Sequence, residues 1–492
     1  MRYHRGVPGF YVENFGCRAT QADGAALERQ FEESGLCRAS SPAQASVVIL
    51  NTCTVTSGAD QDARAAIRRV RRQNPDARIV VTGCYAQRAP EEIASLPGVD
   101  LVVGNSHKHQ LAKIAIPHLT EAESCASDFV SLQDLDKNRE PATENGIFVS
   151  DIFAHTELLA APVFDAANER TRPNLKIQDG CDNRCSFCVI PYVRGRSRSL
   201  DAERVIHEVN ALVDAGYREV VLSGINLGRW GRDLQNEVTA EGHPEPGGTD
   251  PLVGPGARSS PVNFVDLIRA ILSETTIEKL RISSVEPMDW SDALISLVAS
   301  SPRIAKHAHV PMQSGSDAVL RRMHRKYRPW HYSEKIDKIH DAMPTAAIGA
   351  DVMVGFPGET DAEFEATRKM VDDLPFTYLH VFTYSPRPGT PAAEMPQQVP
   401  IQVARERNRI LRELASEKKL AFMRSFVGKS LDAITLNVSG TDSEGKFTEC
   451  LTDNYLKLHL RGKHQSNRWT RASVVDVKCG SLLGEPCRSN LS

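Results

Sequence analysis

The stretch KIQDGCDNRCSFCVIPYVRGRSRS (Lys176–Ser199) carries Cys181, Cys185 and Cys188 as a C-x3-C-x2-C triplet on one short loop. Thiolate sulfur is a soft ligand that selects iron–sulfur clusters, zinc or copper. A 4Fe-4S cluster usually takes about four cysteines, so three with no near fourth leave one iron open to chelate a substrate. The triplet follows an apolar run that reads as a strand (Asn174–Gln178) and precedes a helical pattern starting near Asp201. Cofactor sites of α/β folds sit at such strand-to-helix junctions. The alternative is a zinc site, which needs a fourth Cys or His at typical spacing, and the nearest downstream histidine is His207.

With Phe187 in the aromatic slot before its last cysteine, the triplet resembles the signature of the radical S-adenosylmethionine (SAM) superfamily. The resemblance implies that Cys181, Cys185 and Cys188 hold a 4Fe-4S cluster. Its open iron would bind the amino and carboxylate groups of SAM, and reductive cleavage would yield a 5'-deoxyadenosyl radical.

A chain of 492 residues has room for roughly three domains. Its net charge of −3 gives no global electrostatic reason to bind nucleic acid, so any such binding must use local patches. No run approaches the roughly 18 apolar residues of a membrane helix, and Met1–Phe10 lacks a signal-peptide core. A cytoplasmic protein without a membrane partner is expected. In that reducing compartment, eleven cysteines argue for metal or redox chemistry rather than disulfides. Cys37, Cys125, Cys450, Cys479 and Cys487 lie outside any motif and read as ordinary.

From Met1 to about Lys108, apolar runs at Phe10–Asn14, Val47–Leu50, Ile79–Thr82 and Leu101–Val103 alternate with helical patterns at Ala22–Glu33, Ala59–Arg72 and Pro90–Ser95. The alternation predicts a small parallel sheet with helices on its faces. Cys17, Cys53 and Cys84 each follow one of these strands, so the topology brings three thiols to one sheet edge. Three buried, inert cysteines are the plain alternative. The contexts G-C-R, N-T-C-T and T-G-C-Y, with V-V-G-N-S-H-K, resemble the N-terminal domain of the methylthiotransferases, in particular the branch acting on threonylcarbamoyladenosine in tRNA. That resemblance implies a second 4Fe-4S cluster on Cys17, Cys53 and Cys84. Thr20 stands where the family usually has Asn. The helix bearing Arg64, Arg68, Arg69, Arg71 and Arg72 offers phosphate contacts, or simply a solvated face.

Residues 109–172 read as a connector. From 173 to 424 six strand-to-helix units follow, with strands at Asn174–Gln178, Glu219–Ser223, Lys279–Ser283, His307–Val310, Gly349–Val354 and Tyr378–Phe382. Six units predict an open, partial (β/α)6 barrel, interrupted by a Gly/Pro-rich surface insertion at 235–261. Polar residues cluster after the strands, and the resemblance places Phe187, Ser223, Gly224, Ser284, Gln313, Asp351 and Tyr384 near SAM. Asp317 and Asp361 are expected helix caps. Arg194, Arg196 and Arg198 are expected to anchor tRNA phosphate or the SAM carboxylate, and Arg321, Arg322, Arg325, Lys326 and Arg328 form a second basic patch. From 425 to 492, after a long charged helix, short strands at Ser430–Leu436, Phe447–Leu451, Leu456–Leu460 and Ser473–Val477 predict a small antiparallel barrel; its position and the stretch T-D-N-Y-L-K-L (Thr452–Leu458) are similar to the TRAM domain, an RNA-binding module. A plain structural cap is its competitor.

The fold class is therefore α/β: a parallel N-terminal sheet domain (1–108), the radical SAM barrel and a TRAM-like barrel. The resemblance implies methylthiolation of C2 of N6-threonylcarbamoyladenosine at position 37 of tRNA, using two 4Fe-4S clusters and SAM. It also implies an external electron donor of the flavodoxin or ferredoxin type, while the sulfur donor stays unknown. The alternatives are the same chemistry on isopentenyladenosine in tRNA, methylthiolation of an aspartate of ribosomal protein S12, or a non-catalytic RNA-binding protein with structural zinc.

Overall fold

The structure is a computed structural model that describes residues 8–116, 146–155, 158, 171–235, 261, 263–442 and 445–487. Most of the connector and of the 235–261 insertion lies outside the described residues.

Strands β1 (Gly9–Asn14), β2 (Cys37–Arg38), β3 (Val47–Thr52), β4 (Arg78–Gly83), β5 (Leu101–Gly104) and β6 (Ile147–Phe148) form one sheet of order β2-β1-β3-β4-β5-β6. Every pairing in it is parallel. Successive side chains of a strand point to opposite faces. Val48 and Leu50 accordingly pack with Ala63, Ile67 and Val70 of the helix Ser57–Gln73. Val47 and Ile49 pack with Leu27 and Phe31 of the helix Arg18–Glu33. A sheet covered on both faces needs uninterrupted apolar strands, and β3 is buried along its whole length. The edge strand β6 comes from the stretch read as a connector. It is two residues long, too short to register as a periodic pattern.

The central region contains β7 (Asn174–Asp179), β8 (Arg198–Ser199), β9 (Glu219–Gly224), β10 (Lys279–Ile282), β11 (His307–His309), β12 (Ala347–Val354) and β13 (Tyr378–Thr383). One sheet runs β10-β9-β7-β8 and a second runs β11-β12-β13. Parallel bridges Leu280↔Ile304 and Ser284↔His309 join them. The six predicted parallel strands thus follow one another around an open, partial barrel. The short β8 pairs antiparallel with β7 and covers its outer edge. One apolar core links the strands to the outer helices, from Leu175 and Val205 to Ile336 and Leu411. Helix Ile401–Arg424 braces the last strand: Asn408 donates to the Val381 carbonyl (3.0 Å).

Two expected caps are corrected. The N-cap hydroxyls belong to Ser316 and Thr360, the latter in a capping box with Glu363. Asp317 and Asp361 occupy the next position, where a carboxylate favours the helix dipole without capping.

Strands β14 (Ser430–Asp442), β15 (Gly445–Thr452), β16 (Lys457–Arg461), β17 (Trp469–Lys478) and β18 (Ser481–Pro486) close into a barrel of order β14-β15-β16-β18-β17. Sequence reading yields four of the five and misses β18, whose apolar run is short and interrupted by Gly484. The barrel is antiparallel except where β16 and β18 run parallel. Five strands closed in this way are the scale of the small barrels that bind oligonucleotides. Among the described residues no helix is long and apolar enough to cross a membrane.

Candidate active site

The loop after β7 turns back on itself, with the Cys188 amide donating to the Cys185 carbonyl (3.1 Å). Ser186 pins it to the barrel by donating its hydroxyl to the Arg322 carbonyl (2.7 Å). Two of the three sulfurs are met by nitrogen donors. The Asn183 amide (3.4 Å) and Asn226 Nδ2 (3.7 Å) face Cys181 Sγ, and Arg325 Nη1 lies 3.3 Å from Cys185 Sγ. Arg325 is buried and also pairs with Glu286. Burial, then the neighbouring Cys185, pushes the Cys188 thiol up to about 12.

Cys17, Cys53 and Cys84 come from the carboxyl ends of the adjacent strands β1, β3 and β4. Cys17 is the N-cap of the helix Arg18–Glu33. The Thr20 hydroxyl lies 3.6 Å from Cys17 Sγ, so this departure from the family pattern keeps a polar contact to the sulfur. Asn105 Nδ2 lies 3.6 Å from Cys84 Sγ. Burial, then Cys84, pushes the Cys53 thiol up to about 12. Gly16 permits the approach, since a Cβ there would lie 2.5 Å from Cys53 Cβ.

The donor sets fit iron–sulfur clusters: two trios of soft, unpaired thiols with nitrogen donors to sulfur, the contacts by which a protein tunes such a centre. Among the described residues no three Cys, His, Asp or Glu side chains converge tightly enough to hold a single metal ion. A cluster spreads its thiolates over separate irons and needs no such convergence.

Gly83 precedes Cys84 with φ +99°, a conformation L side chains rarely adopt. A Cβ there would collide with the Thr52 carbonyl and lie 2.6 Å from its amide nitrogen. Gly83→Ala is expected to destabilise the protein by about 1–3 kcal/mol and displace Cys84. Thermal melts and iron content check both effects.

The two trios share one wall. Cys84 packs with Val189, Ile190 and Val193, and Cys181 and Cys188 pack against the same cluster. A cavity of about 540 Å³ opens beside it. Cys17, Cys181, Cys185 and Cys188 line it, together with Phe187, Ser223, Gly224, Ser284, Gln313 and Asp351. Cys53 and Cys84 lie buried behind it. Tyr384 does not face it but stacks edge-on against Phe356, which packs on Phe187. Gln313 has φ +64°, a strained conformation that recurs at ligand sites.

Several cavity residues escaped sequence reading. Arg18 and Tyr455 sit inside quoted motifs, and Asn226 and Glu286 follow predicted strands, yet nothing local marks them as facing the cavity. His307, His309, Tyr378 and His380 belong to strands, where their polar ends read as ordinary alternation.

The expected basic anchors are largely internal. Arg194 is 2 % exposed and pairs with Asp179 (2.9 Å) and Asp23 (2.9 Å), closing the junction between the first sheet and the barrel. It reaches neither phosphate nor a SAM carboxylate from there. Arg198 donates to the His155 carbonyl, and Arg196 is exposed. In the first basic helix Arg64, Arg69 and Arg71 pair with Glu92, Glu13 and Asp100, leaving Arg68 and Arg72 exposed. In the second patch Arg321 and Arg328 pair with Asp317, and Arg322 pairs with Glu363.

Comparison with known proteins gives three findings. Residues 9–104 match the family described as uncharacterized protein family UPF0004, and residues 175–371 match the radical SAM superfamily. The chain is 37% identical over 451 residues to the threonylcarbamoyladenosine tRNA methylthiotransferase MtaB of Bacillus subtilis (strain 168), covering 91% of this chain and 89% of that one. It is 30% identical over 481 residues to the tRNA-2-methylthio-N(6)-dimethylallyladenosine synthase of Endomicrobium trichonymphae, covering 97% and 99%. The radical SAM methyltransferase TsrM of Kitasatospora setae, solved with cobalamin and a [4Fe-4S] cluster, superposes with a TM-score of 0.51 at 14% identity. It covers 79% of this chain and 77% of that one, a likeness of fold alone.

Proposed function

This chain belongs to the radical SAM methylthiotransferase family, and we propose that it places a methylthio group on C2 of N6-threonylcarbamoyladenosine in tRNA. One observation carries the reading: Cys17 from the first sheet and Cys181, Cys185 and Cys188 from the barrel line one cavity. A transfer that joins a sulfur-bearing group to an unactivated ring carbon needs both centres within reach of the same base.

In this reading Cys181, Cys185 and Cys188 hold one 4Fe-4S cluster and Cys17, Cys53 and Cys84 a second. The clusters supply one-electron reduction of SAM and the sulfur end of the transfer, with electrons from a donor of the flavodoxin or ferredoxin type. The remaining work falls to side chains. Arg325 and Asn226 set the charge around the first trio's sulfurs, while Asn105 and Thr20 do so for the second. Phe187 and Ile190 contribute apolar wall that keeps water from the reacting atoms. Ser223, Gly224, Ser284, Gln313 and Asp351 are the polar rim for SAM. Residues 1–108 and 173–424 build most of the site, 109–172 connects them, and 425–492 add Tyr455 to its wall and bind the tRNA.

The dimethylallyladenosine substrate is the second reading, favoured by relatives of that printed name at 30–32% identity. Nucleoside mass spectrometry of tRNA from cells lacking the gene separates the two. The methylthiolated threonylcarbamoyl nucleoside is expected to vanish while its parent accumulates. Loss of the methylthiolated dimethylallyl nucleoside instead would overturn the proposal.

A further inference from the structure

Arg18 follows Cys17 directly and lines the cavity. Its Nη2 donates to the Tyr455 hydroxyl (3.1 Å), and among the described residues no carboxylate pairs with it. Tyr455 belongs to the turn between β15 and β16, so the C-terminal barrel contributes a wall of the cavity. The turn is held there: Asn454 Nδ2 donates to the Thr345 carbonyl (3.0 Å) and Lys279 pairs with Asp453 (3.0 Å). The Tyr455 ring packs 4.6 Å from His307 and 5.8 Å from Tyr378.

The groups around Arg18 are donors and rings. Burial, then Arg281 and other neighbouring cations, holds His307 well below the usual imidazole range. Burial and His309 lower His380 as well. Neutral imidazoles keep one N–H donor each. His307 is 4 % exposed, and its Nε2 lies 2.7 Å from the Tyr378 hydroxyl. The carboxylates of this cavity are occupied: Glu286 by Arg325, and Asp351 by His309 at 3.4 Å.

We propose that Arg18 selects the substrate by binding an anionic, amino-acid-derived group on N6 of the target adenine. The proposal rests on the tRNA reading above. N6 and C2 lie on the same edge of a purine, so a base presented with C2 toward the thiols carries its N6 substituent along the same wall. A threonylcarbamoyl group ends in a carboxylate, which a guanidinium meets with paired hydrogen bonds. The rings of Tyr455, Tyr378 and His307 beside it suit the flat base. A dimethylallyl group offers no carboxylate and would leave the Arg18 charge without an anionic partner.

The test uses the reconstituted holoenzyme with anticodon stem-loops carrying threonylcarbamoyladenosine, its carboxamide analogue or dimethylallyladenosine. A site built around a polar group rejects the analogue lacking it, so the wild-type enzyme is expected to prefer carboxylate over carboxamide by about 100-fold in kcat/KM. Arg18→Gln should lose that preference, chiefly through KM, and Arg18→Lys should regain most of it. Tyr455→Phe, which frees the guanidinium, should lose part of it. Iron content reports whether each variant is intact. If Arg18→Gln is iron-deficient, the comparison rests on Arg18→Lys and Tyr455→Phe. Unchanged carboxylate preference in iron-replete Arg18→Gln, or in Tyr455→Phe where Arg18→Gln is iron-deficient, overturns the role of Arg18. A wild-type enzyme that methylthiolates only the dimethylallyl stem-loop overturns the tRNA reading itself, which is a separate outcome.

Discussion

Cys53→Ala is expected to abolish methylthio transfer while 5'-deoxyadenosine formation from SAM survives. Cys53 is buried behind the cavity, with Gly16 against its Cβ and Cys84 on the neighbouring strand end. Beyond Cys17, Cys53 and Cys84 no cysteine among the described residues comes from these strand ends, so no further thiol can replace it. Reconstituted wild-type protein should hold about eight irons and the variant about four, since each 4Fe-4S centre carries its own thiolate set. The Cys181, Cys185 and Cys188 loop is built from its own contacts, chiefly Ser186 to Arg322 and Cys188 to Cys185, and should remain loaded. Iron and sulfide analysis, electron paramagnetic resonance and product assays read these effects separately. Eight irons in the variant, or full transfer, would mean that Cys53 holds nothing.

Asp23→Ala should produce the largest loss of stability of any single polar substitution here. Asp23 is 1 % exposed and accepts from Lys108 (3.1 Å), Arg194 (2.9 Å) and Lys176. Lys176 and Arg194 also pair with Asp179 (2.8 and 2.9 Å), so two carboxylates hold three buried cations. Removing one partner of a buried ionic set leaves uncompensated charge and costs about 3–5 kcal/mol. Because Asp23 lies on the first helix while Lys176, Asp179 and Arg194 belong to the barrel, the loss should also loosen the junction that brings the two cysteine trios together. Burial holds Lys108 below the usual ammonium range despite Asp23, which marks it as the least favourably held of the three cations. Denaturant unfolding of Asp23→Ala against wild type measures the cost, and a change under about 1 kcal/mol would show that the network is not a clamp.

The same network fixes an acid limit. Burial alone would raise the Asp23 carboxyl, but Arg194, Lys108 and Lys176 more than offset it and hold it well below the ordinary range. Asp179 is lowered in the same way, with burial opposed by Arg194 and Lys176. A folded pKa below the unfolded value means that the unfolded chain binds the proton more tightly. The stabilisation is therefore complete above about pH 3.9, the unfolded carboxylate value. It is lost as the pH falls from there through the folded pKa.

Strand and helix alternation was legible because β3 and β4 are buried on both faces and carry apolar runs, and helical patterns separate the strands. Cysteine placement was legible for the same reason: once a strand is located, the residue after it lies at the carboxyl edge of a parallel sheet. Arginine roles were not. Arg194 and Arg325 lie in stretches read as basic and Arg18 in a cysteine context, yet one is buried in a clamp, one meets a cysteine sulfur and one is left without an acid.

What the sequence determined by itself is the parallel sheet, the six-unit barrel, both cysteine trios and the chemical family they imply, because each rests on local periodicity or on spacing along one loop. What only the tertiary structure decided is which polar groups meet. The Asp23 clamp joins residues far apart in the chain, and Tyr455 reaches the cavity from the last barrel. Partners of that kind are chosen by how separately formed layers dock, and docking depends on side-chain direction and mutual burial that no run of neighbouring residues encodes.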